Sequence, residues 1–257
     1  MTKRVAVIDD IAGFGKCSLG IAIPVLNAAG IEVYPGITSL YSTHTPIKGY
    51  TKLDTGTFLD DTIASWKKLD VHFDAILTAA LTSKEQIYAC MQLFADNPNA
   101  IKVVDPVLGD FGDFYDDDFK ALLPHLKKLC AHADIITPNQ TEAKLLTDGN
   151  MVTIPELGAK NVIITGKVED NTIINTLMNA KGTKEFSSPY IDETIHGAGD
   201  LFDSALVAKI AKGTNIEEAT DFATKITFNA VKLTVGQADF KTKGIAFEPV
   251  LKEIANI

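Results

Sequence analysis

The sequence predicts an α/β fold in which a mostly parallel β-sheet is covered by helices on both faces. Six short runs rich in β-branched residues recur along the chain, and stretches with helical periodicity lie between them, such as residues 82–95 and 117–133. An alternation of strands and helices is typical of a parallel sheet between two layers of helices. The six runs are 5-VAVI, 33-VYPGITSLY, 75-AILTAA, 101-IKVVDPV, 134-DIITP and 162-VIITG.

The last third of the chain predicts an antiparallel hairpin followed by helices. Residues 167–191 alternate apolar and polar side chains around a turn near Asn179, which indicates a hairpin at one edge of the sheet. A strongly amphipathic helix is expected from about residue 201 to residue 212, and Gly213 would end it. A longer helix is expected over residues 216–235.

Composition limits the class of protein. With 257 residues, 46% of them hydrophobic, the chain can bury one sizeable core, so we expect a single domain over residues 1–257. A net charge of −9 does not suit binding to nucleic acid or to an anionic membrane. Cys17, Cys90 and Cys130 form no metal or disulfide pattern, and the N-terminus lacks the apolar run of a signal peptide. We therefore expect a cytoplasmic protein without a membrane span.

Polar segments follow the predicted strands. In an open α/β sheet, ligands bind outside the carboxyl ends of the strands, so these segments are expected to converge on one site. They are 9-DDIAGFGKCS, 41-YSTHT, 105-DPVLGD, 137-TPNQTE and 165-TGK.

The segment 194-TIHGAGDLF has the chemistry of an anion site. Gly197 and Gly199 allow the backbone to turn tightly before the helix, and the unpaired amides at a helix N-terminus attract anions. An acidic residue such as Asp200 at a helix start is usually an N-cap. A carboxylate beside an anion site also suits phosphoryl transfer to an alcohol, which needs donors for the transferred group and an acceptor for the hydroxyl proton.

Taken together, these motifs resemble the ribokinase superfamily and, within it, the pyridoxal and pyridoxamine (vitamin B6) kinases. Gly197, Ala198, Gly199 and Asp200 are similar to the Gly-x-Gly-Asp signature of that superfamily, although Ala198 stands where Thr is commoner. The resemblance implies a ribokinase-like three-layer α/β/α fold with a mostly parallel central sheet and an antiparallel edge hairpin. The other matching segments are 9-DDIAGFGKCSLG, 41-YSTHT, 105-DPVLGD with Tyr115 nearby, and 134-DIITPNQTEA.

The resemblance implies ATP-dependent phosphorylation of the 5′-hydroxymethyl group of pyridoxal, pyridoxine or pyridoxamine. Asp200 would be the catalytic base, and the amides of residues 197–200 would form the anion hole. Asp110 and Glu142 would lie nearest Mg²⁺, although Asn139 and Glu142 also have the spacing of a helix capping box, and Asp105 and Asp110 also suit an ordinary turn. The residues expected at the nucleotide are Asp105, Asp110, Tyr115, Asn139, Glu142 and Thr165.

The vitamin would bind at the ends of the first two strands, beside Asp10, Tyr41, His44 and Thr45. An aromatic face, an imidazole and short polar groups suit a hydroxylated pyridine, although a lone loop histidine is more often solvated. The connection 46-PIKGYTKLDTG is expected to be mobile and to lie near the mouth of this site. The resemblance also implies a homodimer and allows a monovalent cation such as K⁺.

Other functions are weighed against this one. A hydroxymethylpyrimidine kinase of thiamine synthesis would share the fold and the aspartate, and it is the nearest alternative. A nicotinamide-dependent oxidoreductase is weakly supported, because 13-GFGKCSLG lacks the third glycine of a dinucleotide motif, and the same segment fails as a Walker A loop. A non-catalytic vitamin-binding protein would gain nothing from Asp200 or from the pair Asp110 and Glu142.

Overall fold

The computed structural model describes residues 2–151 and 156–257. Strands and helices alternate along the first part of the chain, as the sequence predicts. In chain order the strands are β1 (Arg4–Ala12), β2 (Glu32–Tyr41), β3 (Lys52–Asp54), β4 (Ala75–Thr78), β5 (Ile101–Val104), β6 (Gly109–Asp110), β7 (Asp113–Phe114), β8 (Ile135–Ile136), β9 (Asn161–Glu169), β10 (Thr172–Asn179) and β11 (Gly182–Pro189).

The helices cover both faces of the sheet. Most of them follow a strand and return the chain to the start of the next parallel strand. They are α1 (Leu19–Ala28), α2 (Phe58–Lys68), α3 (Lys84–Asp96), α4 (Asp117–Ala131), α5 (Gln140–Leu146), α6 (Ala198–Ala211), α7 (Ile216–Thr234), α8 (Phe240–Lys243) and α9 (Leu251–Ile254), with a 3₁₀ turn over Glu248–Val250.

The described residues form one large sheet of nine strands in the order β11-β10-β9-β8-β5-β4-β1-β2-β3. The six central strands, from β9 to β2, run parallel, while β10 and β11 pair antiparallel at one edge. This confirms a mostly parallel sheet with an antiparallel edge hairpin. A separate two-stranded ribbon of β6 and β7 stands beyond the end of β5.

Alternate side chains of the central strands enter two separate cores. In β1, Val5 and Val7 pack in the core shared with α1, α6 and α7, while Ala6 and Ile8 pack in the core shared with α2, α3 and α4. Successive strand residues point to opposite faces, so a strand that is apolar on both faces must be covered twice. The three-layer α/β/α arrangement is therefore confirmed.

Helix α6 differs from the amphipathic helix expected. It begins at Ala198 rather than near Asp200, and side chains are buried around nearly its whole circumference, including the polar residues Asp203 and Ser204. The helix packs against α1, α7 and β4, so it lies in the interior of its layer. A strong amphipathic pattern was therefore the wrong interpretation, because a helix enclosed on every side has no solvent face.

The connection after Tyr41 contains an ordered strand. Residues of β3 pair antiparallel with β2, with Tyr41 opposite Lys52, and they extend the sheet by one short edge strand. Within the described residues, no helix is both long enough and apolar enough to cross a membrane.

Candidate functional site

The polar segments identified in the sequence meet at the carboxyl ends of the parallel strands. Asp10 lies near the end of β1, Asp105 follows β5, and Asn139 follows β8. The start of α6 faces the same region, since Asp10 and Asp105 both act electrostatically on Asp200. The topology thus brings residues from distant parts of the sequence to one place.

Gly197 is the N-cap of α6 and requires glycine for internal reasons. Its φ of +87° is left-handed, and a Cβ at this position would lie 2.5 Å from the carbonyl oxygen of Lys16. The first helical hydrogen bond runs from the Leu201 amide to the Gly197 carbonyl at 3.0 Å. The amides of residues 198–200 therefore precede the intrahelical bonds and are oriented as donors at the N-terminus.

Gly199 plays a different part from Gly197. It does not have a left-handed φ, and a Cβ there would meet nothing within 4 Å. The expectation that both glycines shape a tight turn is thus wrong for Gly199, because neither the backbone nor neighbouring atoms demand glycine there. Its open side instead leaves room for an external group to approach the amides of this turn.

Asp200 is not the helix cap that an acidic residue at a helix start usually is. The N-cap is Gly197, and Asp200 is the third residue of α6. The pKa of the Asp200 carboxyl is raised to about 7: burial is the largest cause and the charges of Asp105 and Asp10 add to it, against a hydrogen bond with the Ser18 amide that lowers it. A carboxyl group with a pKa near 7 can accept a proton in neutral solution, as a general base must.

Asp10 and Tyr41 line the side of the site formed by β1 and β2. Asp10 is buried and accepts a hydrogen bond from the Ser18 hydroxyl at 2.6 Å. The Tyr41 ring is half-buried, its centroid lies 5.5 Å from that of Tyr50, and the Lys52 ammonium lies 5.9 Å from it. The connection between β2 and α2 therefore borders this side of the site.

His44 is buried rather than solvated. It is 3% exposed, and its Nε2 is hydrogen-bonded to the carbonyl of Thr242 at 2.8 Å. Its ring lies edge-on to that of His196, with centroids 5.7 Å apart. Thr45, the next residue, is exposed. The four residues expected at the vitamin thus divide into three that are at least partly buried and one at the surface.

Asn139 and Glu142 form the capping box at the start of α5. The Asn139 side-chain oxygen accepts from the amides of Thr141 and Glu142 at 2.8 and 2.9 Å, and Glu142 accepts from the Asn139 amide at 2.8 Å. The other Glu142 oxygen accepts from the Leu108 amide at 3.0 Å. Burial, together with the nearby Asp105 carboxyl, raises the pKa of Glu142 to about 8. The interpretation of Asn139 and Glu142 as a helix capping box is therefore confirmed.

The capping box also holds the neighbouring ribbon in place. The Asn139 side-chain amide donates to the Gly109 carbonyl in β6 at 2.9 Å, and the Thr141 hydroxyl accepts from the Gly112 amide at 2.9 Å. The Thr165 amide donates to the Pro138 carbonyl at 3.0 Å, which joins the middle of β9 to the segment just before α5. The capping of α5 and the rim of the site thus share one hydrogen-bonded network.

Asp105, Asp110 and Tyr115 complete the expected nucleotide side. Burial raises the pKa of Asp105 to about 6. Asp110 is exposed in the β6–β7 turn, where it accepts from the Phe111 amide at 2.8 Å. Tyr115 is 55% exposed, and the pKa of its phenol is raised by partial desolvation and then by the charges of Glu142 and Asp110.

The acidic groups suit a metal ion that keeps its water shell. In the part of the chain that the structure describes, no three His, Cys, Asp or Glu side chains are grouped to hold a metal directly. Both Glu142 oxygens already accept from backbone amides, whereas Asp110 is open to solvent. Mg²⁺ retains several waters and is often held by one or two carboxylates together with substrate phosphates, so Asp110 and Glu142 fit it through water.

Two buried carboxyl groups were missed by the sequence interpretation. Asp9 and Asp203 are 3% and 4% exposed, and burial raises the pKa of each well above its ordinary value. Asp10 raises that of Asp9 further, and Asp105 that of Asp203. Asp203 lies three residues after Asp200, so one signal was available: an acidic residue on the same face of the helix as Asp200. Because α6 was expected to have a solvent-exposed face, Asp203 was not recognised as a buried carboxyl group.

The architecture and the site together define a ribokinase-like α/β protein whose central helix presents a carboxyl group and free amides to a polar cleft. The chain belongs to the phosphomethylpyrimidine kinase family, whose profile matches residues 25–243. This assignment agrees with the superfamily that the motifs resemble.

Curated relatives include kinases for two kinds of substrate. The chain is 30% identical over 182 residues to the hydroxymethylpyrimidine/phosphomethylpyrimidine kinase of Bacillus subtilis, covering 65% of this chain and 66% of that protein. It is 30% identical over 176 residues to the pyridoxine kinase of the same organism, covering 62% and 64%. The thiamine biosynthetic bifunctional enzyme TH1 of Arabidopsis thaliana is 27% identical over 241 residues, which are 88% of this chain and 45% of that protein. The chain thus spans less than two thirds of the length of these relatives.

Solved structures are similar over almost the whole chain. A candidate phosphomethylpyrimidine kinase from Bacteroides thetaiotaomicron, in a crystal form with pyridoxal, has a TM-score of 0.91 at 31% identity and covers 99% of this chain and 96% of that one. The pyridoxal kinase of Lactobacillus plantarum also has a TM-score of 0.91, at 27% identity, with 100% and 98% covered.

Proposed function

We propose that this chain is an ATP-dependent kinase that phosphorylates the 5′-hydroxymethyl group of pyridoxal, pyridoxine or pyridoxamine. One observation carries the proposal: Asp200 stands at the N-terminus of α6 with a pKa raised to about 7, and it is not the helix cap. A base and a set of free amides at one helix start are what transfer of a phosphoryl group to an alcohol requires.

In this mechanism, Asp200 removes the proton of the hydroxymethyl group while the resulting oxygen attacks the γ-phosphorus of ATP. The bond between the γ-phosphorus and the β,γ-bridging oxygen breaks, and ADP leaves with that oxygen. The amides of residues 198–200 donate to the oxygens of the transferred group as negative charge develops on them. Mg²⁺ bound with the nucleotide supplies positive charge to the phosphates, and Asp110 and Glu142 would hold it through water.

The nucleotide and the vitamin would occupy opposite sides of Asp200. Asp105, Tyr115, Asn139 and Thr165 belong to the side formed by β5, β8 and β9, where we place ATP. Asp10, Tyr41 and His44 belong to the side formed by β1 and β2, where we place the ring, with Thr45 at its exposed margin. The similarity to a structure with pyridoxal and to a pyridoxal kinase supports a B6 vitamer as the substrate.

A hydroxymethylpyrimidine kinase is the second candidate. The family profile and the 30% identity to the Bacillus subtilis hydroxymethylpyrimidine/phosphomethylpyrimidine kinase favour it. Both substrates are flat nitrogen heterocycles that carry a hydroxymethyl group. The same base and amides would serve either, and the β1–β2 side of the site would decide between them.

Steady-state kinetics with Mg-ATP test the proposal. We expect ADP release with the three B6 vitamers, and a higher kcat/KM for at least one of them than for hydroxymethylpyrimidine. The reverse order would assign the chain to thiamine synthesis. Asp200→Asn, which preserves size, should lower kcat by about 10²-fold or more, the scale for loss of a positioned base. Near wild-type turnover in this variant would reject Asp200 as the base.

Ligand-dependent stability separates the kinase from other classes. Mg-ATP should raise the melting temperature and NAD should not, because only a ligand bound by the folded state stabilises it. Vitamin binding with no ADP release would favour a non-catalytic binding protein. Measuring ADP release in K⁺ and in Na⁺ salts tests whether a monovalent cation is needed, and light scattering tests whether the protein is a homodimer.

A further inference from the structure

A short segment near the C-terminus joins three loops of the site. Residues 242–245, which we call the strap, comprise the end of α8 and the two residues after it. Their backbone makes one hydrogen bond to each of the loops that follow β1, follow β2 and precede α6. The bonds are Thr242 carbonyl to His44 Nε2 at 2.8 Å, Lys16 amide to Lys243 carbonyl at 2.8 Å, and Ile245 amide to His196 carbonyl at 2.9 Å.

Gly244 is the point at which the strap passes between two of these loops. Its φ is +81°, and a Cβ there would lie 2.9 Å from the Lys16 carbonyl oxygen and 3.0 Å from the His196 carbonyl oxygen. Gly197 meets the strap from the other side, since a Cβ on Gly197 would lie 3.0 Å from Ile245. Two glycines thus allow three backbones to pass within close contact of one another.

Hydrogen bonds alone hold the N-terminal end of the strap, whereas side-chain burial also holds its C-terminal end. Helix α8 buries no side chain, but Ile245 and Ala246 are fully buried, and the Ala246 amide donates to the Thr234 hydroxyl at 2.8 Å. The segment is therefore anchored in the core beside α7 and extends outward to the site loops. Its position is set by the core and not by the loops that it contacts.

The strap also determines which nitrogen of neutral His44 carries the hydrogen. A backbone carbonyl can only accept, so the bond to Thr242 requires the hydrogen on Nε2 and leaves Nδ1 as an acceptor. Nδ1 is buried and has no hydrogen-bond partner among the described residues. A buried acceptor without a partner is costly, and the bond to Thr242 offsets that cost for Nε2 only.

We propose that the strap is a positioning element: it keeps the substrate loop in register with the N-terminus of α6 and holds His44 as the Nε2–H tautomer. Resting on the proposed kinase activity, this assigns the strap to alignment of the hydroxymethyl group with Asp200. It assigns no role in nucleotide binding, because on the nucleotide side Asp105 follows β5, Asn139 follows β8 and Thr165 lies on β9, away from the strap.

Gly244→Ala tests the proposal, with Gly213→Ala as a matched control. Both glycines have a left-handed φ, of +81° and +90°, but a Cβ at Gly213 would meet nothing within 4 Å. Backbone strain should therefore lower the stability of both variants, by a melting-temperature shift of a few degrees. Only Gly244→Ala pushes against loops of the site.

We expect Gly244→Ala to lower kcat about tenfold or more and to increase the share of ATP hydrolysed without phosphorylation of the substrate, since misplacement by about 1 Å is enough for such a loss. The Kd for Mg-ATP should stay within about twofold of wild type, on the premise that only the substrate side moves. Equal kcat in the two variants would overturn the proposal. A parallel loss of kcat and of Mg-ATP affinity in Gly244→Ala would overturn it as well.

The tautomer provides a test that needs no enzymatic activity. Long-range ¹H–¹⁵N spectra of the wild-type protein at pH 8 should show His44 with a protonated Nε2 and an unprotonated Nδ1, and His44→Asn identifies its signals. An Nδ1–H tautomer contradicts the inference. Absence of kinase activity toward every compound tested would reject the proposed function, and the spectra would still decide the role of the strap.

Discussion

The pH dependence of turnover follows from the surroundings of Asp200. Burial, helped by the charges of Asp105 and Asp10 and opposed by a hydrogen bond with the Ser18 amide, raises its pKa to about 7. A base must be unprotonated to act, so activity should rise with pH across this range. Asp105→Asn removes one of the negative charges, and it should therefore move the rise to lower pH.

The expected magnitude comes directly from the titration of one group. With a pKa of about 7, roughly one tenth of Asp200 is unprotonated at pH 6 and roughly nine tenths at pH 8. The value of kcat/KM should therefore increase by about tenfold between these two pH values. The increase should level off above pH 8, since almost all of the base is then available.

The assay is ADP release with both substrates well below their KM values, because kcat/KM then reports the ionisation of the free enzyme. Substrates with different ring ionisation, pyridoxine and pyridoxamine, should give the same acid limb if it belongs to Asp200. A kcat/KM that is flat from pH 6 to 8, or an Asp105→Asn limb displaced to higher pH, would refute the reasoning.

Three further predictions concern stability. Burial and Asp105 raise the pKa of Glu142 to about 8, so the protonated side chain contributes fully to stability below its unfolded pKa, and this contribution is lost as pH rises through about 8. Urea titration should therefore give a lower free energy of unfolding at pH 8 than at pH 5. Glu142→Gln should reduce that difference. Asn139→Ala removes the α5 cap and should cost about 1–2 kcal/mol by denaturant titration, with a value near zero contradicting the capping role. Leu206→Ala, in the interior of α6, should cost about 2–5 kcal/mol, whereas Leu69→Ala at a 72% exposed position should stay within about 0.5 kcal/mol; equal effects would show that α6 is not enclosed.

Much of the fold could be predicted because its signals are local. The β-branched run at Val5 to Ile8 is apolar on both faces, which requires a strand covered twice. The turn near Asn179 separates two alternating segments, and these became β10 and β11. The short strand β3 was not predicted, because its three residues are all exposed and their pattern shows no buried face.

The interpretation of α6 failed for a reason that lies outside its own sequence. Periodicity reports how apolar residues are spaced, but not whether a second helix covers the other face. Here α1 and α7 enclose α6, so Asp203 and Ser204 are buried with the apolar residues. The carboxyl group of Asp203 could be found only once that enclosure was known.

The sequence by itself determined the alternation of strands and helices, the polar segments at the strand ends, and the glycine and aspartate at the start of α6, because each depends on neighbouring residues. Only the tertiary structure decided that Gly197, and not Asp200, caps the helix, and that Gly244 passes between the Lys16 and His196 loops. Those outcomes depend on contacts between segments far apart in the chain, and a raised carboxyl pKa depends on burial that no local pattern records.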